Sequence, residues 1–262
     1  ELFISQPGLT TSIRELETEM GIKIFTRTNK GVVTSNEGER FLGYARQVLE
    51  QASLLEGVYK SGTKIKQQFC VSTQHYSFAV NAFVDLIRRF AGEEYDFSLR
   101  ETETYEIIDD VAKMKSEIGI LYLNSFNKDA LMKIIKSKSL TFTELFTAKP
   151  HVFVSTDHPL ADKKSVTMEE LADYPYLSFE QGEHNSFYYS EEIFSTVGRT
   201  KNIRVTDRAT LFNLLIGLNG YTVCSGVIDN ELNGDNITAI PLDEEGNMKI
   251  GYIENKKILH SN

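Results

Sequence analysis

A chain of 262 residues with 41% hydrophobic and 25% charged side chains is long enough for two domains and more than one core. Its 28 basic and 37 acidic residues give a formal charge of −9, which excludes a wholesale polyanion binder but not a small DNA-reading module on an acidic body. The chain has no apolar run near the roughly 18 residues of a membrane span and no N-terminal signal pattern, so a cytoplasmic protein is expected. Cys70 and Cys224 lie far apart in apolar segments, which predicts buried thiols rather than a disulfide framework or a thiolate metal site.

In chain order, Ser5-Gln6-Pro7 reads as a helix start, with Ser5 as the cap and Pro7 in the first turn, where a missing N–H costs nothing. Leu9, Ile13, Leu16 and Met20 recur at helical spacing until Gly21 stops the helix, and Gln6, Thr10, Thr11 and Arg14 fall on the other face. Ile22, Ile24 and Phe25 alternate, then a polar turn over Arg27-Thr28-Asn29-Lys30-Gly31 leads to Val32-Val33, so a small hairpin follows the helix. Thr34 and Glu37 have the spacing of a capping box. A long helix is expected over about 36–60, with Phe41, Ala45, Val48, Ala52, Leu55 and Tyr59 stepping like a two-helix seam. That stripe suits dimerisation or packing on the chain's own body. Ser61-Gly62-Thr63-Lys64 reads as a hinge.

The remainder alternates strand and helix. Strands are expected at Phe69–Ser72, around Tyr95–Leu99 and at Ile118–Leu123, with helices around Phe78–Phe90 and Ile107–Met114, a βαβαβ pattern that predicts a mostly parallel sheet. A second set follows, with strands near 140–147, 150–155, 176–179, 202–206 and 221–224 and helices near 167–172, 188–197 and 208–218. A last strand near Lys249–Ile253 could return to the first lobe. The first sixty residues carry 7 basic and 8 acidic side chains and the rest 21 and 29, so the acidity belongs to the larger part.

The run Ser5-Gln6-Pro7-Gly8-Leu9-Thr10, then Ile13, Leu16-Glu17, Met20-Gly21 and Ile24-Phe25-Thr26-Arg27, resembles the DNA-binding domain of LysR-type transcriptional regulators. Gly8 stands where that family usually has Ala, and threonines stand where Ser is common. His158-Pro159-Leu160-Ala161, and Asp207 followed by Leu214-Leu215 and Gly217 to Gly220, resemble the same family's regulatory domain. The resemblance implies a winged helix-turn-helix over 1–35, a linker and dimerisation helix over 36–60, and an α/β effector domain of type 2 periplasmic-binding-protein fold over 68–262. Its first lobe would take about 68–143 and 248–262, its second about 144–247. It further implies contacts to double-stranded DNA through Gln6, Pro7, Thr10, Thr11 and Arg14, with Arg27 on the wing, and a homodimer or homotetramer. In that family a first helix and most of a second precede this motif, so Glu1–Phe3 would be the tail of a helix, a chain of roughly 300 residues is expected, and the present one should bind DNA poorly.

Open α/β sheets bind ligands at the carboxyl ends of their strands. Ser72, Thr73, Gln74, Thr102, Thr104, Ser178, Gln181, Thr206 and Thr222 fall at such points, and this ring of hydroxyls and amides suits a small polar or anionic metabolite held by neutral donors. The alternative for each is a helix cap. Leu177 to Gly182 looks similar to Gram-positive regulators of cysteine and methionine metabolism, which implies an O-acetylserine-like or sulfate-like effector. No catalytic motif, cofactor or metal is expected; Glu180, Glu183 and His184 read as solvated loop residues or a cation site, and Phe187-Tyr188-Tyr189 as packing at a helix start. A solute-binding protein or an enzyme on the same lobes are the rival functions; the first would need an export signal and the second a reactive group in the cleft.

Overall fold

The computed structural model describes residues 5–29, 31–59, 67–228 and 234–256. The expectations for Glu1–Phe3, Lys30 and the 61–64 hinge, and for the side chains of Leu55 and Tyr59, lie outside those residues. Two compact units divide at residue 65.

In the first unit, helix α1 (Gln6–Met20) starts as the sequence suggests: Ser5 is extended and its Oγ accepts the Gly8 N–H at 3.3 Å. Gly21 ends the helix at φ 65°, a left-handed turn that costs glycine nothing. Strands β1 (Phe25–Thr28) and β2 (Gly31–Thr34) form the antiparallel hairpin. Helix α2 (Asn36–Tyr59) follows, but its cap is Ser35, whose Oγ accepts the Gly38 N–H at 2.9 Å. The Thr34 capping box fails because Thr34 is still paired with Phe25 in the hairpin, so the chain turns one residue later. The glycine at 38 is required by close approach, since a Cβ there would stand 2.1 Å from the Ile24 carbonyl oxygen. The expected apolar face of α1 is not covered: Leu9, Leu16 and Met20 are exposed, and the buried residue is Glu17. Its carboxylate accepts the Ile24 and Phe25 N–H groups at 2.7 and 3.0 Å and the Lys23 ammonium at 3.1 Å, tying helix to hairpin.

The second unit has two lobes. The first is a five-stranded sheet in the order β4-β3-β5-β12-β6, made of β3 (Gln67–Thr73), β4 (Tyr95–Glu101), β5 (Ile118–Leu123), β6 (Leu140–Ala148) and β12 (Met248–Asn255). The pairs β3/β4 and β3/β5 are parallel, as a βαβαβ chain demands, and the returning β12 is antiparallel to β5 and β6. Helices α3 (Ser77–Phe90), α4 (Thr104–Ala112) and α5 (Lys128–Ser137) cover it. Ile107, Ile108 and Val111 of α4 pack with Leu121 and Leu123 of β5 and Leu131 and Ile135 of α5 in one fully buried cluster. Burial of each such side chain is worth about 1.5–3 kcal/mol.

In the second lobe β7 (His151–Ser155) pairs with β10 (Thr222–Cys224) and β11 (Ile237–Pro241), all antiparallel, and β8 (Tyr176–Phe179) pairs parallel with β9 (Asn202–Val205). A parallel bridge between Tyr176 and Tyr221 joins the two pieces. Helix α6 (Arg208–Leu218) opens on an Asp207 cap and buries Leu211 and Leu215 beneath these strands. The chain crosses between lobes at 149–150, because β6 stays paired with β12 through Ala148, and again at 242–247.

Helices expected at 167–172 and 188–197 do not form. The first is a set of tight turns; the second shrinks to a 3₁₀ turn, Phe187–Tyr189, after which Phe194 takes φ 64°. Arg199 holds the Phe194 and Val197 carbonyls at 3.1 and 3.0 Å, giving those groups partners outside any helix. Helix α5 and edge strand β11 were not anticipated. Pro241 is tolerated there because β11 has a strand on one side only.

Candidate functional site

On α1, Gln6, Pro7, Thr11 and Arg14 are exposed and Thr10 is half-buried; Arg27 is exposed on β1. The Thr10 and Thr11 hydroxyls donate back to the Gln6 and Pro7 carbonyls at 2.9 and 3.0 Å, which ties both side chains to the helix backbone. Along α2, Phe41 and Ala45 are half-buried, whereas Val48 and Ala52 are exposed, so the distal part of the expected seam has no partner within the described residues.

The second site lies between the lobes. Several polar contacts cross it. His75, just after β3, donates its backbone N–H to Glu191 at 2.8 Å, and its Nδ1 stands 3.0 Å from both Glu191 oxygens, with each side chain 4% exposed. Glu101 at the end of β4 pairs with Arg208 at the start of α6 at 3.2 Å. The Thr104 N–H donates to Gln181 Oε1 at 3.0 Å and its hydroxyl to the Tyr189 carbonyl at 2.7 Å. The Ser77 hydroxyl donates to the Val227 carbonyl at 3.3 Å. Phe179 stacks on the His75 ring with centroids 3.9 Å apart.

Beside this latch a narrow slot, a cavity of about 40 Å³ open at its mouth, runs between the lobes. Phe153, Phe179, Leu211, Phe212, Val223 and Val227 give it apolar walls; Ser77, Thr222, Ser225, His75, Arg208, Glu191 and Glu192 supply its polar groups. Burial opposes a charged His75, but the Glu191 carboxylate overrides it and raises its pKa above the usual imidazole value. Glu192 accepts the Phe179 N–H at 2.8 Å, and burial, reinforced by the neighbouring Glu191, pushes its carboxyl up to about 8. Burial also raises Glu101, against the opposing pull of Arg208. Cys224 borders the slot with its thiol pushed by burial to about 12, so it is a packing group and not a nucleophile.

The nine residues expected around a ligand divide sharply. Gln74, Thr104 and Gln181 meet in one buried network: Gln74 Nε2 donates to Thr104 Oγ1 at 2.6 Å, while its Oε1 accepts the Tyr76 hydroxyl at 2.8 Å and the Tyr122 N–H at 3.1 Å. Thr222 borders the slot. Ser72 points to Asp110 and Ser116, each at 2.8 Å, inside the first lobe. Thr73 is fully buried and its hydroxyl donates to the Gln74 carbonyl at 2.8 Å. Thr102 and Ser178 are half-buried on their strand ends and outside the slot lining, and Thr206 is exposed, its backbone favouring the charged form of His75. The charged members His75, Glu191, Glu192 and Arg208 were missed. The one available signal was three titratable residues that cap no helix, His75 after a strand and Glu191-Glu192 in an apolar stretch.

Among the described residues no three His, Cys, Asp or Glu side chains gather as metal ligands; His184 instead stacks on Tyr105 at 3.6 Å. Phe187 and Tyr188 are exposed, with Tyr188 stacked on Phe126 at 4.8 Å, and of the aromatic trio Tyr189 packs against the α4 and α5 core cluster, edge-on to Tyr105. No described helix is long and apolar enough to cross a membrane.

Comparison with known proteins agrees with this architecture. Residues 1–39 match the bacterial regulatory helix-turn-helix proteins of the lysR family, and residues 71–257 match the LysR substrate binding domain. An uncharacterised HTH-type transcriptional regulator of Escherichia coli, YnfL, is 28% identical over 183 residues, 68% of this chain and 58% of the relative. The HTH-type transcriptional regulator CysB of Burkholderia cenocepacia is 28% identical over 185 residues, 68% of this chain and 55% of the relative. The chain thus spans a little over half the length of these curated relatives. A full-length OxyR variant from Pseudomonas aeruginosa shares the fold with a TM-score of 0.62 at 18% identity, covering 96% of this chain and 80% of that one. With a family match over well more than half of its length, the chain belongs to the LysR family.

Proposed function

We propose that this chain is the DNA-binding and sensing part of a cytoplasmic transcriptional regulator that is not an enzyme. A small polar or anionic metabolite between the two lobes controls how its subunits present α1 to double-stranded DNA. The observation that carries the reading is the order of parts, a capped helix with a polar exposed face, a hairpin and a long helix, followed by a two-lobed unit whose cleft holds buried donors. Amide, hydroxyl and guanidinium groups of Gln6, Thr10, Thr11 and Arg14 suit groove edges and phosphates, and Arg27 suits a backbone contact from the wing. Exposed Val48 and Ala52 on α2 favour a homodimer through that helix, with a tetramer as its further assembly.

Several contacts bridge the lobes, so a ligand that alters them shifts the balance between lobe arrangements. Thr73, Gln74, Thr104 and Gln181 shape this site mainly from behind, and Thr222 borders the ligand's space. An O-acetylserine-like or sulfate-like ligand is the first class to test, since both carry an anionic group that can accept hydrogen bonds from the His75 and Gln181 donors. The test is selection of bound duplexes from a random DNA library, followed by gel shift at fixed salt with and without sulfur metabolites. An enriched two-fold sequence whose affinity responds to one compound supports the reading. An enriched sequence without two-fold symmetry, or one whose affinity no compound alters, would refute it.

A further inference from the structure

The Glu191 carboxylate is held the way a cleft would hold the anionic end of a ligand. Its Oε2 accepts the His75 backbone N–H at 2.8 Å, its two oxygens flank His75 Nδ1 at 3.0 Å, and its Oε1 accepts Gln181 Nε2 at 3.1 Å. Backbone N–H, imidazole and primary amide converging on one carboxylate make a built anion site. The occupant comes from the chain's own irregular stretch just after the 3₁₀ turn Phe187–Tyr189, and the apolar slot opens directly beside it. Glu191 sits in an irregular stretch rather than inside a helix, so its side chain can be withdrawn without unravelling a regular element.

We propose that Glu191 is an internal stand-in for the ligand's carboxylate, latching the lobes through His75 until a small organic anion displaces it. The displaced Glu191 turns to solvent, the incoming anion takes the three donors, and its apolar body fills the slot between Phe153, Phe179 and Phe212. The ligand class is therefore a small monoanion with an apolar tail, and its apparent affinity is lowered by the competition with Glu191. This rests on the reading of the interlobe cleft as the ligand site.

Butyrate, butyramide and butylamine are matched probes for anion, neutral donor-acceptor and cation. Titrations of the full chain and of its Glu191→Ala and Glu191→Gln variants would be followed through the methyl resonances of Leu211, Val223 and Val227, which border the slot. Removing the internal competitor is expected to tighten butyrate binding by about tenfold or more, with Glu191→Gln intermediate and no gain for the other two probes. Should Glu191→Ala not fold, Glu191→Gln decides alone. Unchanged or weaker butyrate binding in the folded variants, or none in any protein, overturns the proposal. Preferential butylamine binding by the parent chain that is lost in the variants also overturns it, making Glu191 a receptor for a cation. Methyl shifts outside the slot would instead overturn the cleft reading itself.

Discussion

Gln74→Leu separates a structural residue from a ligand contact. The Gln74 side chain is fully buried, and its Oε1 is the acceptor for both the Tyr76 hydroxyl and the Tyr122 N–H, while its amide donates to Thr104. Leucine matches the volume but accepts nothing, so two buried donors lose their partner. Each orphaned donor costs roughly 1–3 kcal/mol. Thr104 keeps its donation to the Tyr189 carbonyl at 2.7 Å and adds little. Allowing about 1 kcal/mol back for burying an apolar side chain, the net loss is about 1–5 kcal/mol. For a unit of this size each kcal/mol moves Tm by roughly 2–4 °C, so the ligand-free midpoint should fall by about 2–20 °C. Urea unfolding of the ligand-free protein, with the slope compared between variants, measures it. A loss below about 1 kcal/mol with weakened ligand binding would refute the reasoning and return Gln74 to the ligand's surface.

Arg14→Ala should weaken binding to the selected duplex and lower the slope of log affinity against log salt by about 1 if the guanidinium grips phosphate, as gel shifts over a salt series would read. Gly38→Ala puts a Cβ 2.1 Å from the Ile24 carbonyl, so either α2 or the hairpin must move; thermal melting should show the first unit destabilised, and an unchanged melt would mean the approach is not held in solution. Folding raises the Glu192 carboxyl from 4.5 to about 8, so between those values the folded state binds more protons than the unfolded one and stability falls as pH rises. His75 adds to this from its ordinary value of 6.5 upward, because a raised imidazole contributes stability that is complete below 6.5 and lost as pH climbs through its folded value. Urea midpoints across pH 4.5 to 8 should decline for the parent chain, whereas Glu192→Gln should decline less steeply, keeping only the contributions of the other raised groups such as Glu101 and, above about 6.5, of His75; parallel profiles would remove Glu192 as the source.

The strands were legible because their signal is local. Val71 of β3 and the Ile120–Leu123 run of β5 stand out as apolar segments bounded by polar ends, and Gly21 and Ser5 mark α1 by backbone chemistry alone. The 188–197 helix was misread because its apolar spacing is real, but Glu191, Glu192 and Arg199 are committed to long-range partners that outweigh a weak propensity. The same long-range commitments hid the cleft. Threonine and glutamine at strand ends advertise a ligand, yet Gln74 and Thr104 spend their hydrogen bonds on each other, and a buried His–Glu pair 116 residues apart leaves no trace in local pattern.

The acid excess takes on a second meaning through these pairings. A surplus of carboxylates on an acidic sensor reads as solvated surface, but several are internal acceptors for backbone N–H groups that the fold leaves unpaired. Glu17 takes those of Ile24 and Phe25, Glu117 that of Cys70 at 2.6 Å, Glu191 that of His75, Glu192 that of Phe179 and Asp207 that of Thr210 at 2.8 Å. Glu117 and Glu191 staple strand ends to distant segments, Glu17 and Glu192 link nearer ones and Asp207 caps its own helix, in each case giving a partner to an N–H that would be costly unpaired. Hydrogen bonds from the backbone hold Glu17 and Asp207 below the usual carboxylate range, so those staples stay closed down to acidic pH, while Glu192 is protonated well before them. The staples of the first unit and of the α6 cap are thus fixed acceptors, and Glu192 beside the slot is poised to change its protonation near neutrality. Negative charge in this chain therefore does two jobs: Glu17 and Asp207 anchor backbone as fixed acceptors, while at the cleft Glu191 stands beside a second carboxyl, Glu192, that burial and this neighbour keep protonated up to about 8.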